Sequence, residues 1–189
     1  NLTMQQRGLP VSYVVACGNM AQTTQAEIAL GLLDDPRVTA IGLHIEGFGD
    51  TGAWHRLAVL AAERGVPLIA LKVGASEQAQ RATVSHTASL AGGDAGAGAL
   101  LARLGIGRVR DLPTFVEVLK LLHVAGRLDA PTLSSVSCSG GEASLAADTA
   151  HGRAVTFPAL TQAQRVALED ALGPMVALSN PLDYNTYIW

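Results

Sequence analysis

Three places along the 189-residue chain combine side chains with the types and spacing that chemistry requires. The first is Ser85-His86-Thr87-Ala88-Ser89-Leu90-Ala91-Gly92-Gly93-Asp94. It sets an imidazole among hydroxyls, and its Gly-Gly-Asp entry to a helix lets an anion approach backbone N–H groups. The second is His44-Ile45-Glu46-Gly47, at the end of an apolar run. A carboxylate there can accept one N–H of an imidazole and so fix which ring nitrogen is free to react. His44 and Glu46 also share a strand face by period two, but no third ligand accompanies them, and no metal site is assigned. The third is Ser137-Cys138-Ser139-Gly140-Gly141-Glu142, between a strand-like run and a helix-like one. Glycines at that junction allow close approach, and the helix start offers free donors and the positive end of its dipole.

Each motif also has a plain structural use. A lone loop histidine and a loop-start glutamate are commonly solvated, and paired glycines serve a tight strand-to-helix turn. The third motif is not a nucleophile elbow, because Ser137 replaces the first glycine of G-x-S-x-G. It is not a phosphate-binding Walker loop either, since no lysine follows the second glycine. The glycines between 93 and 98 do not form G-x-G-x-x-G after a strand, so the dinucleotide fingerprint is absent.

The elements that must position these residues follow from alternation of apolar runs with amphipathic stretches. Strands are expected at 11–16, 38–45, 66–73, 132–138 and 175–178, with a weaker one near Arg108. Helices are expected at 24–33, 53–64, 93–104, 112–124, 142–150 and 162–172. Asp111 before Leu112-Pro113, and Thr161 before the last of them, read as N-caps. Residues 1–6 read as the end of a helix, and 180–184 as a loop. Strands alternating with helices of this length give βαβ units, hence an α/β, doubly wound parallel sheet. The polar stretch 125–131, with Gly126 and Pro131, divides two Rossmann-like units at 1–125 and 126–189, the second incomplete. Both ends read as cut, as in a fragment of a longer chain.

Composition narrows the function classes. With 49% hydrophobic, 15% charged and 4% aromatic residues, the core must be Val, Ile, Leu and Ala, as in a parallel sheet covered on both faces. Few aromatics disfavour a base-stacking platform, and a net charge of −3 disfavours nucleic-acid binding. No apolar run reaches the ~18–20 residues of a membrane span. Two cysteines make neither a disulfide scaffold nor a four-ligand zinc site. A cytoplasmic, soluble protein is expected.

Together, Gly18-Asn19, Asp34-Asp35-Pro36, Glu46-Gly47, Leu71-Lys72-Val73-Gly74-Ala75-Ser76-Glu77 and the run from Ser85 to Gly92 resemble the NDP-forming (ADP-forming) acyl-CoA synthetases. This is the acetate–CoA ligase group of the succinyl-CoA synthetase superfamily. Ser139-Gly140-Gly141 and Asn180-Pro181-Leu182-Asp183 extend the resemblance into that family's next domain. The resemblance implies two flavodoxin-like ligase domains and a phosphohistidine at His86, oriented by Glu46. Phosphate contacts would come from Ser85, Thr87, Ser139, Gly140 and Gly141. Ala75 stands where many relatives carry arginine, and Ala88 where many carry glycine. It further implies CoA and ATP/ADP with Mg2+, bound mainly by a CoA-binding domain and an ATP-grasp domain outside these residues. A carboxylic acid substrate and a homo- or hetero-oligomer complete the expectation. The alternative is a non-catalytic acyl-CoA-sensing region of a protein acetyltransferase, with a hydrolase acting through Ser139 a distant third.

Overall fold

Pairing of Ile41–Ile45 (β1), Leu68–Lys72 (β2) and Gly107–Val109 (β3) builds an all-parallel sheet in the order β1-β2-β3. The computed structural model describes residues 2–18, 20, 22–76, 78–79 and 93–185. The chain divides into two compact units, Asn1–Arg127 and Leu128–Trp189. The first carries this sheet with helices α1 (Leu2–Gln6), α2 (Gln25–Leu32), α3 (Thr51–Glu63), α4 (Asp94–Arg103) and α5 (Leu112–Ala125).

Helix starts follow cap chemistry. Thr24 and Glu27 form a capping box on α2. Asp50 accepts from the N–H groups of Gly52 and Ala53, which starts α3 two residues earlier than the apolar pattern suggests. Asp111 accepts from Thr114 N–H at 2.7 Å, ahead of proline in the first turn of α5.

Side chains alternate across the sheet and feed two clusters. On one face Ile41, Leu43, Ile45, Leu68 and Ala70 pack with Ala26 and Ala29 of α2, Trp54 and Leu57 of α3, and Leu101 of α4. On the other, Ile69 and Leu71 pack with Phe115 and Leu119 of α5. β2 is buried at every position, as a central parallel strand must be, whereas β1 exposes Gly42 and His44. Gly42 has a packing reason, because an added Cβ would stand 2.6 Å from Phe115 Cζ and 2.7 Å from Leu119 Cδ1. Gly42→Val should therefore lift α5 from the sheet and cost about 1–3 kcal/mol, read as a lower urea midpoint.

Segment 11–16, expected as a strand, forms none. Val11, Val14 and Val15 have strand-forming side chains but stay exposed, and no ladder pairs them with a neighbour. Propensity alone does not make a strand; a partner's backbone does.

The second unit holds β4 (Val136–Ser137), α6 (Gly140–Ala150), α7 (Gln162–Leu172) and β5 (Leu182–Asp183). The strand expected at 132–138 contracts to β4, with one bridge from Thr132 to Thr156. Its parallel partner is β5; the strand expected at 175–178 does not form, and that segment turns instead and buries Val176. The Asn180 amide makes this choice. Its Nδ2 donates to the Leu133 and Pro158 carbonyls at 3.0 and 2.9 Å, and its Oδ1 accepts from Ser135 N–H. Residues 182 and 183, read as loop, are thereby set beside β4 as a strand. Among the described residues no helix is long and apolar enough to cross a membrane.

Candidate functional site

Parallel pairing brings the carboxyl ends of the first unit's strands to one edge, where open α/β sheets hold their ligands. Glu46 follows β1 directly, Lys72 closes β2, and Arg108 lies within β3. Ile45 is in register with Lys72, and Ala70 with Arg108. Asp94 opens α4 and forms an ion pair with Arg108. Lys72, Asp94 and Arg108 thus form one charged group at this edge, and the Glu46 charge acts on Lys72 as well.

The electrostatics of this edge are set by burial. Lys72 is 6% exposed and is the buried charged residue among those described. Its ammonium donates to the Val73 carbonyl. Burial holds its pKa below the usual lysine value of 10.5; Arg108 adds to the effect, while Asp94 and Glu46 oppose it. The Asp94 carboxyl is held below its ordinary range, first by hydrogen bonding from Arg108. Among the described residues, Glu46 Oε2 is buried without a hydrogen-bond partner, and so is Arg108 Nε. A buried carboxylate oxygen lacking a donor is costly, and it is an acceptor ready for an incoming N–H.

Lys72 gives a stability prediction. Between the lowered pKa and 10.5 the native state binds fewer protons than the unfolded chain, so the Lys72 contribution to stability rises with pH there. Below both values the buried cation is a net cost. Lys72→Met should raise the urea midpoint at pH 7, and the gain should shrink as pH approaches 10.5. A lower midpoint at pH 7 would show that partners outweigh burial.

The expected residues are distributed as follows. Glu46 stands at the carboxyl edge, as its place after a strand suggested. Ser85, His86 and Thr87 lie outside the described residues. Ser139, Gly140 and Gly141 are in the second unit, where Ser139 caps α6 and accepts from Gly141 N–H at 3.2 Å. Gly140 and Gly141 give this helix its first turn. A Cβ on Gly140 would sit 3.3 Å from Asp183 Oδ2, so a carboxylate lies beside this helix start. Among the described residues no group of three or more His, Cys, Asp or Glu is placed to hold a metal ion. Sequence reasoning missed Lys72, Asp94 and Arg108 as parts of one cluster. The available signal was Lys72 itself, one of two lysines in the chain, ending a wholly apolar strand.

Comparison with known proteins agrees with the fold. Residues 2–122 match the family model for the succinyl-CoA ligase-like flavodoxin domain. An ADP-forming acetate–CoA ligase of Methanocaldococcus jannaschii is 33% identical over 91% of this chain and 24% of its own length. The alpha subunit of ADP-forming acetate–CoA ligase II of Pyrococcus furiosus is 30% identical over 91% of this chain and 37% of its own. This chain therefore spans well under half of either relative. Among solved structures, the Ca. Korarchaeum cryptofilum dinucleotide-forming acetyl-coenzyme A synthetase 1, in complex with phosphate and ADP, superposes with a TM-score of 0.83. That match has 21% identity and covers 94% of this chain and 39% of the other, so it speaks for the fold. With a parallel sheet, charged residues at its carboxyl edge and a match across most of the first unit, the chain belongs to the succinyl-CoA ligase-like flavodoxin domain family.

Proposed function

We propose that this chain is the phosphoryl-carrying core of an ADP-forming acyl-CoA synthetase, which converts a carboxylic acid, CoA and ATP to acyl-CoA, ADP and phosphate. The carrier is His86. The observation that favours this reading is Glu46 Oε2, buried at the carboxyl edge without a donor, in a chain whose family includes such ligases. An imidazole N–H would satisfy that oxygen. Accepting it orients the ring, leaves the other nitrogen free as nucleophile and stabilises the positive charge that develops when that nitrogen is phosphorylated.

The reaction divides into three transfers. The free nitrogen of His86 attacks the γ-phosphorus of ATP, and ADP leaves. The substrate carboxylate takes the phosphoryl group from His86, giving an acyl phosphate and restoring the imidazole. The CoA thiol, as its thiolate, attacks the acyl carbon, and inorganic phosphate leaves. Ser85 and Thr87 flank the carrier and supply hydroxyl donors to the phosphoryl oxygens. Within the second unit, Ser139, Gly140 and Gly141 offer further donors at the start of α6. The nucleotide with its Mg2+, and CoA, fall to an ATP-grasp domain and a CoA-binding domain on the same polypeptide or a partner subunit.

The test is product analysis on the complete polypeptide, with any subunit that co-purifies with it, across a panel of carboxylic acids. ADP and phosphate should appear in equal amounts with an acyl-CoA thioester. AMP and pyrophosphate would contradict the reading. Acyl-CoA binding without turnover would point to the sensor role instead.

A further inference from the structure

The start of α4 is held differently from the starts of α2, α3 and α5. Thr24, Asp50 and Asp111 cap those three helices with their own side chains, within the same stretch of sequence. The cap position of α4 is Gly93, which has no side chain to offer. Asp94, the first residue of the helix, pairs instead with Arg108 of β3, fourteen residues on. Two guanidinium nitrogens reach it: Nη2 donates to the Asp94 carboxylate and Nη1 to the Asp94 carbonyl at 3.5 Å. Gly98, one turn along α4, makes room for the guanidinium, since an added Cβ would stand 3.2 Å from Nη1. A cation beside a helix N-terminus faces the positive end of the dipole, so Asp94 also offsets a charge that the helix alone would repel. Among the described residues the Arg108 side chain makes no other hydrogen bond.

This pair stands where the stretch of chain containing His86 rejoins the fold. That stretch leaves the sheet after Lys72, fourteen residues before His86, and enters α4 at Asp94, eight residues beyond it. At the first of these ends the Lys72 ammonium donates to the Val73 carbonyl, and the charges of Arg108 and Asp94 both act on it. Both ends therefore meet one charged group. The Asp94 end is the nearer to His86, and eight residues span at most about 28 Å. It sets the tighter bound on where the imidazole can go, and a reacting group misplaced by about 1 Å can lose roughly 100-fold in rate.

We propose that Arg108 is a positioning residue for phosphoryl transfer: by holding Asp94 from β3, it fixes the point at which the chain carrying His86 enters α4. This role rests on the reading of His86 as the carrier. Arg108 acts through Asp94 and the first turn of α4, not on the phosphoryl group. A long-range ion pair does here what a local cap does for the neighbouring helices, and it ties the helix start to the sheet edge where Glu46 stands.

The test uses the complete polypeptide, with any subunit that co-purifies with it, and compares Arg108→Gln, Asp94→Asn and the double variant. The first readout is the rate at which γ-labelled ATP phosphorylates His86. Each single variant should lose roughly 30- to 100-fold, and the double variant no more than either, because all three break one pair. Apparent affinity for ATP should stay at the parental value. Arg108→Lys keeps the charge without the fork, so it should recover only part of the rate. The second readout is hydrogen exchange: amides of 97–100 should exchange about 10-fold faster or more in each variant, while those of 41–45 and 68–72 keep the parental rate. Parental phosphorylation rates in the variants would overturn this inference and leave the carrier reading standing. Faster exchange throughout the first unit would make the pair a general support of the fold and would overturn it too. A parent protein that takes no label on His86 would remove both the carrier and its positioning residue. If Arg108→Gln does not fold, Asp94→Asn and Arg108→Lys decide the same comparison.

Discussion

His86→Ala should reduce ADP-linked acyl-CoA formation by the complete protein to background, a loss on the order of 10⁴-fold or more. On the proposed mechanism, His86 accepts a phosphoryl group at one site and releases it at another, and its loss stops both transfers. Binding of CoA and of nucleotide should be unchanged, because the proposed mechanism leaves those sites to other domains. Glu46→Gln is the graded companion. It keeps the shape of the side chain but removes the negative charge that the proposed mechanism uses to stabilise the phosphorylated imidazole, so activity should fall by about 10²–10³-fold. The loss should appear in the rate of His86 phosphorylation and not in the apparent affinity for CoA. Unchanged phosphorylation in Glu46→Gln would detach Glu46 from the mechanism while leaving His86 in it.

The second large effect is structural. Trp54 is 1% exposed, the largest side chain among the fully buried ones. Its indole N–H donates to the Phe48 carbonyl, and its ring meets Phe48 edge-to-face with centroids 5.3 Å apart. Trp54 thus fills the core between α3 and the sheet, and it anchors the loop that leaves β1 through Glu46. Trp54→Ala should cost about 3–5 kcal/mol by urea denaturation followed by circular dichroism. Trp54→Phe keeps most of the apolar surface but leaves the Phe48 carbonyl without its donor, so a loss of about 1–2 kcal/mol is expected. A Trp54→Ala variant within 1 kcal/mol of the parent would mean that the core collapses around the gap.

Helices were legible because their starts are written in short-range chemistry. Asp111 before Pro113, and Thr161, each declare a helix start in the sequence, and the structure adds the capping box of Thr24 with Glu27 that the sequence reading passed over. Strands depend on what lies beside them, and that is less local. Val11, Val14 and Val15 read as a strand and are not one, for want of a neighbour's backbone. Leu182 and Asp183 are too few to show any period, yet they pair with β4 because Asn180 bonds to Leu133 and Pro158. The site divides in the same way. Glu46 could be singled out from its place after an apolar strand. The meeting of Lys72, Asp94 and Arg108 follows from the pairing of β2 with β3 and from the ion pair that Asp94 makes with Arg108, and no spacing in sequence encodes it.

The central claim is that His86 carries a phosphoryl group, and tryptic mapping of the phosphorylated protein tests it most directly. The complete polypeptide, incubated with any subunit that co-purifies with it and with γ-labelled ATP, is quenched in alkali and digested. Cleavage after Arg81 and Arg103 releases residues 82–103, the peptide that holds His86. The account predicts label on this peptide, stable in base, lost in acid, absent from His86→Ala and returned to ATP on addition of ADP. Label that survives acid, label on another peptide, or acyl-CoA formed with no phosphorylated protein at all would contradict it.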